Sequence, residues 1–359
     1  MMKIIFKVLW VLALLSVVFS LTACFDGAKA DETEYTTRSQ TVSYMHFNTV
    51  TVLSSYGSAT EAEFLAYVDV VDDMLGYYHK LFDIYNEYEG VNNIMTINKN
   101  AGKSAVEVDS ELVDFLLYCK ELYATTQGKT NVMLGSVLKI WHDKRELADE
   151  NAGYLDESLL PTYEELAEAS NHTSIDLLVI DKDAKTVYIS DSMASLDVGA
   201  VAKGYAVTKV VEKLKLMGAD SVALNAGGNI ATIGTKPNGE LWTTGITNPD
   251  KASFESLACR VKIGEISLVT SGDYERYFVS GDKNYHHIID PDTLMPADYF
   301  ASVSVFTKDS ALADALSTAL FCMPYEDGLK LIKDIKNVDV LWIYKDGEIK
   351  YTEGVKMAE

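Results

Sequence analysis

Two oxygen-bearing side chains late in the sequence stand at a spacing that suits a hard cation. Asp314 and Thr318 lie four residues apart in a run rich in Ala and Leu, which places both on one face of a helix. A carboxylate and a hydroxyl are donors that Mg²⁺ accepts, and Mg²⁺ completes its shell with water and substrate phosphates. An acid near a helix start also complements the helix dipole without any metal, so the pair alone leaves both interpretations open.

Two glycine-containing turns could bring backbone N–H groups close to an anion. Residues 197–205 read D-V-G-A-V-A-K-G-Y, which predicts that a strand ends, a helix begins and Lys203 adds a positive charge. Residues 225–229 read N-A-G-G-N, and adjacent glycines permit positive φ angles and close backbone approach. Turns of this composition are also ordinary connections, so each is by itself a weak signal for phosphate binding.

A pair of histidines offers proton transfer near neutral pH. His286 and His287 stand in the run Y-H-H-I-I-D-P, which is predicted to form a strand. Neighbouring side chains on a strand point to opposite faces, so only one of the two can enter a given site and they are not a chelating pair. A histidine that serves only packing is the alternative.

The elements that must position these residues follow from the hydrophobic periodicity. Apolar residues at three-and-four spacing predict helices over residues 59–82, 110–127, 201–217 and 310–322. Ser110 is the expected N-cap of the second helix. Short β-rich runs begin at residues 44–56 and recur from Ile175 onward, and the acidic stretch 143–171 is interpreted as a surface insertion with one short helix. This mixture predicts one undivided α+β domain.

Composition excludes several classes of protein. The 359 residues are 48% hydrophobic, which supplies a buried core and argues against disorder. The 31 Lys and Arg against 53 Asp and Glu give a net charge of −22, which repels nucleic-acid phosphates, so no nucleic-acid partner is expected. The four cysteines are too sparse for a disulfide scaffold and lack zinc-site spacing. Cys119, Cys259 and Cys322 are therefore expected to be buried hydrophobic residues.

The amino terminus predicts export and lipid attachment. Lys3 and Lys7 precede an uncharged apolar run that ends in L-T-A-C at residues 21–24, too short for a comfortable membrane span and typical of a signal peptide. L-T-A-C resembles the bacterial lipobox, which implies cleavage after residue 23, a lipid on Cys24 and a location on the extracytoplasmic face of the cell membrane. An ordinary secretory signal or an uncleaved anchor helix is the alternative. Residues 24–43 are small, polar and acidic, which predicts a flexible tether before a domain at 44–359.

Taken together, the motifs resemble those of the ApbE family, the FAD:protein FMN transferases. The matching segments are F-N-T at 47–49, D-x-G-A-x-A-K-G-Y at 197–205, N-A-G-G at 225–228, T-S-G-D-Y at 270–274, H-H-I-I-D-P at 286–291 and A-D-A-x-x-T at 313–318. The resemblance implies a two-lobed, T-fold-related α+β domain with mixed or antiparallel sheets and flanking helices. It also implies magnesium-dependent transfer of FMN from FAD to a Thr or Ser hydroxyl of an exported protein, with release of AMP.

The resemblance further implies roles for individual residues. Asp314, Thr318 and the backbone carbonyl of Ala200 would bind Mg²⁺. His287 would be the catalytic base, and His286 would face away from the site. The positions expected to contact FAD are Phe47, Tyr85, Lys129, Thr130, Asn131, Asp197, Lys203 and Ile288.

The sequence departs from the family pattern at three places. Residues 128–131 read G-K-T-N where a G-A-F-D-like stretch is usual, so Asn131 lacks the charge of an acid. Asn229 stands where an acid is commoner, and Leu294 stands where a glycine is usual. We expect these differences to affect contacts with the isoalloxazine ring more than the metal site.

Two other functions remain open from the sequence. An FAD pyrophosphatase would use the same metal and substrate with water as the nucleophile, and the difference lies in how water is excluded near the metal. A non-catalytic flavin-binding lipoprotein is a possibility of another class. The presence of Asp314, Thr318 and His287 argues against it, because a pure binding protein does not need a cation on the pyrophosphate.

Overall fold

The structure is a computed structural model that describes residues 36–358. The α-helices of this part, α1 to α8, are Glu61–Phe82, Ile94–Lys99, Ser110–Thr125, Gly135–Glu150, Tyr163–Ser170, Ala202–Leu216, Ser310–Phe321 and Tyr325–Lys333. The first eight strands, β1 to β8, are Arg38–Ser43, Thr51–Ser55, Val106–Glu107, Leu178–Asp181, Thr186–Ile189, Val222–Ala226, Asn229–Ile233 and Trp242–Thr247. The remaining strands, β9 to β16, are Leu257–Ile263, Ser267–Gly272, Tyr277–Ser280, Lys283–His286, Ser302–Thr307, Asp339–Ile343, Ile349–Tyr351 and Lys356–Met357.

One large antiparallel sheet organises the domain. Its strands lie in the order β1-β2-β6-β7-β10-β13-β14-β15, and every neighbouring pair is antiparallel. Strands β3, β5 and β4 form one small sheet, β16, β9 and β8 form another, and β11 pairs with β12 as a separate hairpin. The α+β class with antiparallel sheets and flanking helices is confirmed.

Helix α7 is the central helix of the candidate site. Its N-cap Asp309 accepts the N–H groups of Ala311 and Leu312 through its side chain, which satisfies donors that the helix itself leaves unpaired. All but two of its residues are buried, because it packs on β10 and β13 on one side and on α6 on another. An Ala-rich and Leu-rich sequence suits a helix covered on several faces.

Two expectations for the amino-terminal half are wrong at their boundaries. Residues 38–43 do not continue the predicted tether; they form β1, which pairs with β2, and Arg38 donates to the carbonyl of Ala59 over 2.7 Å. Their polar side chains misled the prediction, since an edge strand is held by backbone hydrogen bonds and needs few apolar residues. The N-cap of α3 is Asp109, which accepts the N–H of Glu111, rather than Ser110.

The acidic stretch 143–171 is not a surface insertion with one short helix. It contains the second half of α4 and the whole of α5. Its Leu155 and Leu166 are buried in a cluster with Trp141 and Phe278, and the N–H of Leu155 donates to the carbonyl of Val279 over 2.8 Å. The segment therefore supports the β11–β12 hairpin, and its acidic side chains are exposed.

The cysteines and the amino-terminal signal have different outcomes. Cys119 and Cys322 are buried as predicted, whereas Cys259 is only partly buried, and none of these three forms a disulfide. Within residues 36–358, no helix is both long and apolar enough to cross a membrane. The predicted signal peptide, Cys24 and the tether up to residue 35 lie outside the described residues.

Candidate active site

The first turn of α6 meets the middle of α7 at a glycine. Gly204 donates its backbone N–H to Oδ2 of Asp314 over 2.8 Å, although the two residues are 110 positions apart in the chain. A Cβ at position 204 would collide with the carbonyl oxygen of Ser310 and with Cβ of Asp314. Glycine therefore allows the close approach of these helices, and the motifs 197–205 and 313–318 become neighbours.

The carboxyl group of Asp314 is buried, with 7% of the residue exposed. Burial raises its pKa to about 6, against the opposing effects of Lys203, the Gly204 N–H and Asn229. Removal from water disfavours the ionised form of an acid. A cation bound at this carboxyl would have the opposite effect, because it stabilises the negative charge.

The three donors expected to bind the metal suit Mg²⁺ by their chemistry. Thr318 lies one helical turn further along α7, and Ala200 lies two residues before α6, so a carboxylate, a hydroxyl and a main-chain carbonyl are all oxygen donors of the kind that Mg²⁺ prefers. Within the described part of the chain, no three His, Cys, Asp or Glu side chains form a metal-binding group. An ion here would thus take the rest of its shell from water and from substrate phosphates.

Asn229 belongs to this same corner. It is 1% exposed, and its side-chain amide lies close enough to the Asp314 carboxyl to lower the pKa of that acid through a weak hydrogen bond. Among residues 36–358 its nitrogen has no hydrogen bond of good geometry. The departure at position 229 therefore lies beside the proposed metal ligand Asp314, and its effect on flavin contacts stays a prediction.

Lys203 connects the corner to the glycine turn between β6 and β7. Its Nζ donates to the carbonyl of Gly227 over 2.9 Å. Burial lowers the pKa of Lys203, while the charge of Asp314 acts in the opposite direction. Gly227 and Gly228 have φ angles of 56° and 91°, and a Cβ on Gly227 would collide with the side chain of Thr49. The N-A-G-G motif thus builds a tight turn against the F-N-T segment and receives the lysine.

The two adjacent histidines have different surroundings. His286 ends β12 and is buried; its Nε2 donates to the carbonyl of Ala297 over 2.8 Å, and its Nδ1 accepts the N–H of Ile288 over 3.2 Å. The sequence predicted that His287 lies within the strand, but β12 ends at His286 and His287 follows it. Its Nδ1 is buried with no hydrogen-bond partner in the described chain. The imidazole of His286 is used by the fold, whereas that of His287 has a free nitrogen.

The pKa of His287 favours the neutral imidazole. Burial lowers this pKa to about 3, and the charges of Arg276 and Arg145 and the neighbouring His286 lower it further. A neutral imidazole has one nitrogen that can accept a proton. His287 is therefore in the protonation state that a general base requires at neutral pH.

Arg276 is a site residue that the sequence reasoning missed. The register of the hairpin pairs Tyr277 with His286, and the N–H of His287 donates to the carbonyl of Arg276 over 3.0 Å. Directly opposite residues of an antiparallel pair share a face, so the side chains of Arg276 and His287 belong to one side of the hairpin. The charge of Arg276 also affects the pKa of Lys203, Asp197 and Tyr85.

Tyr85 and Asp197 lie beside a second cluster that the sequence did not reveal. The ring of Tyr85 is 55% exposed and lies 5.3 Å from that of His142 on α4, while Asp197 accepts the N–H of Gly199 over 2.9 Å. Burial raises the pKa of Asp197, and His142, Arg276 and Arg145 oppose this rise. The chain has only four arginines. In so acidic a chain, each arginine was worth examining as a site residue, and this was the signal in the sequence that could have pointed to Arg145 and Arg276.

The segment 128–131 is engaged within the protein. Lys129 pairs with Asp290 and Asp292 over 2.7 and 2.8 Å. The Thr130 hydroxyl donates to the carbonyl of Ala315 over 2.7 Å. Asn131 uses both ends of its amide, donating to the carbonyl of Thr173 over 2.8 Å and accepting the N–H of Met133 over 2.9 Å. The side chains expected to contact FAD thus support α7 and the neighbouring loops.

Two further positions expected to contact FAD also have clear surroundings. Ile288 is 5% exposed and packs in the cluster that contains Phe300 and Phe321. Phe47 is partly buried, with a positive φ of 54°; its N–H donates to Nδ1 of His79 over 3.3 Å and its ring lies edge-on to that histidine. A bulky residue in this backbone region is strained and is retained where the surroundings hold it.

The sequence matches the model of the ApbE family over residues 46–342. The chain belongs to the ApbE family. Curated family members include the FAD:protein FMN transferase of Treponema pallidum, which is 32% identical over 277 residues and 73% of each chain. That of Klebsiella pneumoniae is 27% identical over 278 residues, covering 75% of this chain and 83% of the relative. The resemblance read from the motifs is confirmed.

Solved structures of ApbE proteins have the same fold. The ApbE protein of Thermotoga maritima aligns with a TM-score of 0.73 at 25% identity, covering 89% of this chain and 97% of the other. The flavin transferase ApbE of Vibrio cholerae aligns with a TM-score of 0.70 at 23% identity, covering 89% and 96% of the two chains. The ApbE-like α+β domain expected from the motifs agrees with these comparisons.

Proposed function

We propose that this protein transfers FMN from FAD to a Thr or Ser hydroxyl of an exported acceptor protein, with Mg²⁺ bound and with release of AMP. The observation that carries the proposal is the contact of α6 with α7, in which buried Asp314 accepts the N–H of Gly204 beside Lys203. Oxygen donors and a lysine at a helix start suit a diphosphate held by a divalent cation. The FAD:protein FMN transferases named above support the choice of substrate.

Different residues of the chain would bind the metal, bind the diphosphate and accept the proton. Asp314, Thr318 and the carbonyl of Ala200 would hold Mg²⁺, which when bound neutralises charge on phosphate oxygens. Lys203 provides a positive charge for the diphosphate. His287 accepts the proton of the acceptor hydroxyl, whose oxygen forms a bond to the phosphorus of the FMN moiety. The bond between that phosphorus and the bridging oxygen breaks, and AMP departs with the electron pair. Such positioning and electrostatics are the main parts of phosphoryl-transfer catalysis.

The test is incubation of the purified protein with FAD, MgCl₂ and an exported candidate acceptor. We expect covalent fluorescence on the acceptor, a mass increase equal to one FMN moiety, and one AMP released per FMN attached. A parallel reaction with EDTA should give no product. Release of FMN and AMP at a rate independent of acceptor would favour the pyrophosphatase, and binding of FAD without any product would favour the flavin-binding lipoprotein.

We also propose that a lipid on Cys24 holds the protein at the extracytoplasmic face of the membrane. The proposal is supported by the apolar run followed by L-T-A-C at residues 21–24. One acyl chain gives only marginal membrane binding, so stable attachment needs a second signal, such as a second chain on the same cysteine. Cells fed an alkyne-bearing fatty acid should label the wild-type protein and not a Cys24→Ser variant. Equal labelling of both, or recovery of the wild type in the soluble fraction, would contradict the proposal.

A further inference from the structure

Arg276 is a cation without a carboxylate partner in a strongly acidic protein. The chain carries 53 acidic residues against 31 Lys and Arg, yet within residues 36–358 the Arg276 side chain forms no ion pair, unlike Lys129 and Lys345, which each pair with two acids. Arg276 is exposed and lies just before β11. Its charge acts on Asp197, but no carboxylate of the described residues lies within ion-pairing distance, so the guanidinium can pair with an incoming anion.

The position of Arg276 relative to His287 follows from the hairpin register. The pairing of Tyr277 with His286 and the 3.0 Å hydrogen bond from the N–H of His287 to the carbonyl of Arg276 make these two residues cross-strand partners. Their side chains therefore share a face of the hairpin. Nδ1 of His287, buried and unpartnered in the described chain, lies on this same side.

Three charged or titratable neighbours affect His287: Arg276, His286 and Arg145. Each of them lowers the pKa of His287, since a positive neighbour disfavours the imidazolium form. An anion that pairs with Arg276 would cancel part of this effect. The pKa of His287 would then be higher with the anion bound than without it, so His287 would be a stronger base when the anion is bound.

Building on the proposed function, we propose that Arg276 binds a phosphate oxygen of FAD and that this contact couples substrate binding to proton transfer at His287. Arginine suits this role because its planar guanidinium donates two parallel hydrogen bonds to a phosphate. The hydroxyl proton passes to His287, the oxygen–phosphorus bond forms, and AMP leaves, as in the reaction above. In this reaction Arg276 would make the pKa of His287 depend on whether the diphosphate is bound.

The binding experiment compares FAD with riboflavin, which has the same ring system and no phosphate. Flavin fluorescence titrations would use the full chain, its Arg276→Gln and Arg276→Lys variants, and Arg260→Gln as a matched control. Arg260 is an exposed residue of β9 outside the candidate site. We expect Arg276→Gln to weaken FAD binding by about 10- to 100-fold and Arg276→Lys to weaken it less. Riboflavin binding should be unchanged in all variants.

The coupling is tested by NMR titration of histidine-labelled protein, with the His287 signal assigned from its loss in His287→Gln. FAD should raise the apparent pKa of His287 in the wild type, and Arg276→Gln should raise it without FAD, whereas Arg260→Gln should not. Equal FAD affinity in Arg276→Gln and Arg260→Gln would overturn the proposal, as would equal weakening of FAD and riboflavin. A weakened interaction with the acceptor alone would also overturn it. Failure of the wild type to bind FAD would instead refute the proposed function.

Discussion

The α6–α7 contact contains the buried acid Asp314, whereas the β11–β12 hairpin carries the base His287, which is partly buried with an inaccessible Nδ1. Burial raises the pKa of Asp314 to about 6 and lowers that of His287 to about 3. In both cases burial disfavours the charged form. The pKa of Asp314 is therefore raised and that of His287 lowered, and both changes favour the uncharged side chain. A cation bound at Asp314 would lower the first pKa, and an anion bound near His287 would raise the second.

The two regions also differ in how they are built. Asp314 is fixed by a backbone hydrogen bond from Gly204 inside a helix pair covered by the main sheet. His287 lies at the end of a separate two-stranded hairpin, supported by the cluster that includes Trp141 and Phe278. The comparison teaches that the metal side depends on helix packing and the proton-transfer side on hairpin register.

The largest expected effect is at the acid. Asp314→Ala removes the proposed carboxylate ligand, and we expect magnesium-dependent transfer to fall by about 10³-fold or more. Asp327→Ala on the exposed face of α8 is the matched control and should keep wild-type activity. Initial rates over a MgCl₂ series would decide the matter, and normal turnover of Asp314→Ala at saturating Mg²⁺ would refute the metal assignment.

The next largest effect is at the base. His287→Ala should slow FMN transfer by about 10²-fold while FAD binds with nearly unchanged affinity. His172→Ala is a control, because its side chain pairs with Asp191 over 2.6 Å and belongs to neither region of the site. Single-turnover rates and equilibrium FAD binding would be measured side by side. An equal loss in both quantities would make His287 a binding residue.

The contrast in pKa predicts opposite pH dependences of stability. Because the folded pKa of His287 is about 3 against an ordinary 6.5, the unfolded chain binds more protons between these values, so this residue lowers stability as the pH falls. Asp314, at about 6 against 3.8, lowers stability as the pH rises through that window. Each slope is at most about 1.4 kcal/mol per pH unit.

Urea unfolding of both variants in EDTA would measure these slopes. Relative to the wild type, His287→Gln should be more favourable at pH 4.5 than at pH 7.5, because it removes a group that resists protonation in the folded chain. Asp314→Asn should show the reverse, because it removes a buried charge that forms at high pH. A change of the same sign in both variants would contradict the comparison between the two regions.

The smallest expected effect is at Thr130, and it distinguishes a structural role from direct contact with FAD. Thr130→Val removes the hydroxyl that donates to the carbonyl of Ala315 over 2.7 Å, and we expect about 1 kcal/mol lower stability with FAD affinity retained. Thr125→Val is the matched control, since its hydroxyl donates to the carbonyl of Glu121 at an exposed position. Thermal and chemical denaturation would give the stability values. A large loss of FAD binding with unchanged stability would restore Thr130 as a direct contact.

The parts of the site that the sequence predicted are those carried by local patterns. The helix with Asp314 follows from apolar spacing, and the glycine pair 227–228 predicts the positive φ angles that the turn adopts. The separation of His286 from His287 follows from the alternation of side chains at the end of a strand. These inferences need only the neighbouring residues in the chain.

The parts that the sequence did not predict depend on partners far away in the chain. Thr130 bonds to a carbonyl 185 residues later and Lys129 to an acid 161 residues later, so their engagement within the fold could not be deduced from the segment itself. Arg276 joins the site through the register of a hairpin. Asn229 joins it because β7 begins next to α7, which no local pattern specifies.

The missing side chain at Gly204 has a consequence for how the protein tolerates sequence change. A single added methyl group there would force α6 and α7 apart. It would move Asp314 away from Lys203 without contacting the substrate. In a saturation library, position 204 should therefore accept as few replacements as the metal-binding positions do, although glycine has no side chain with which to contact a ligand.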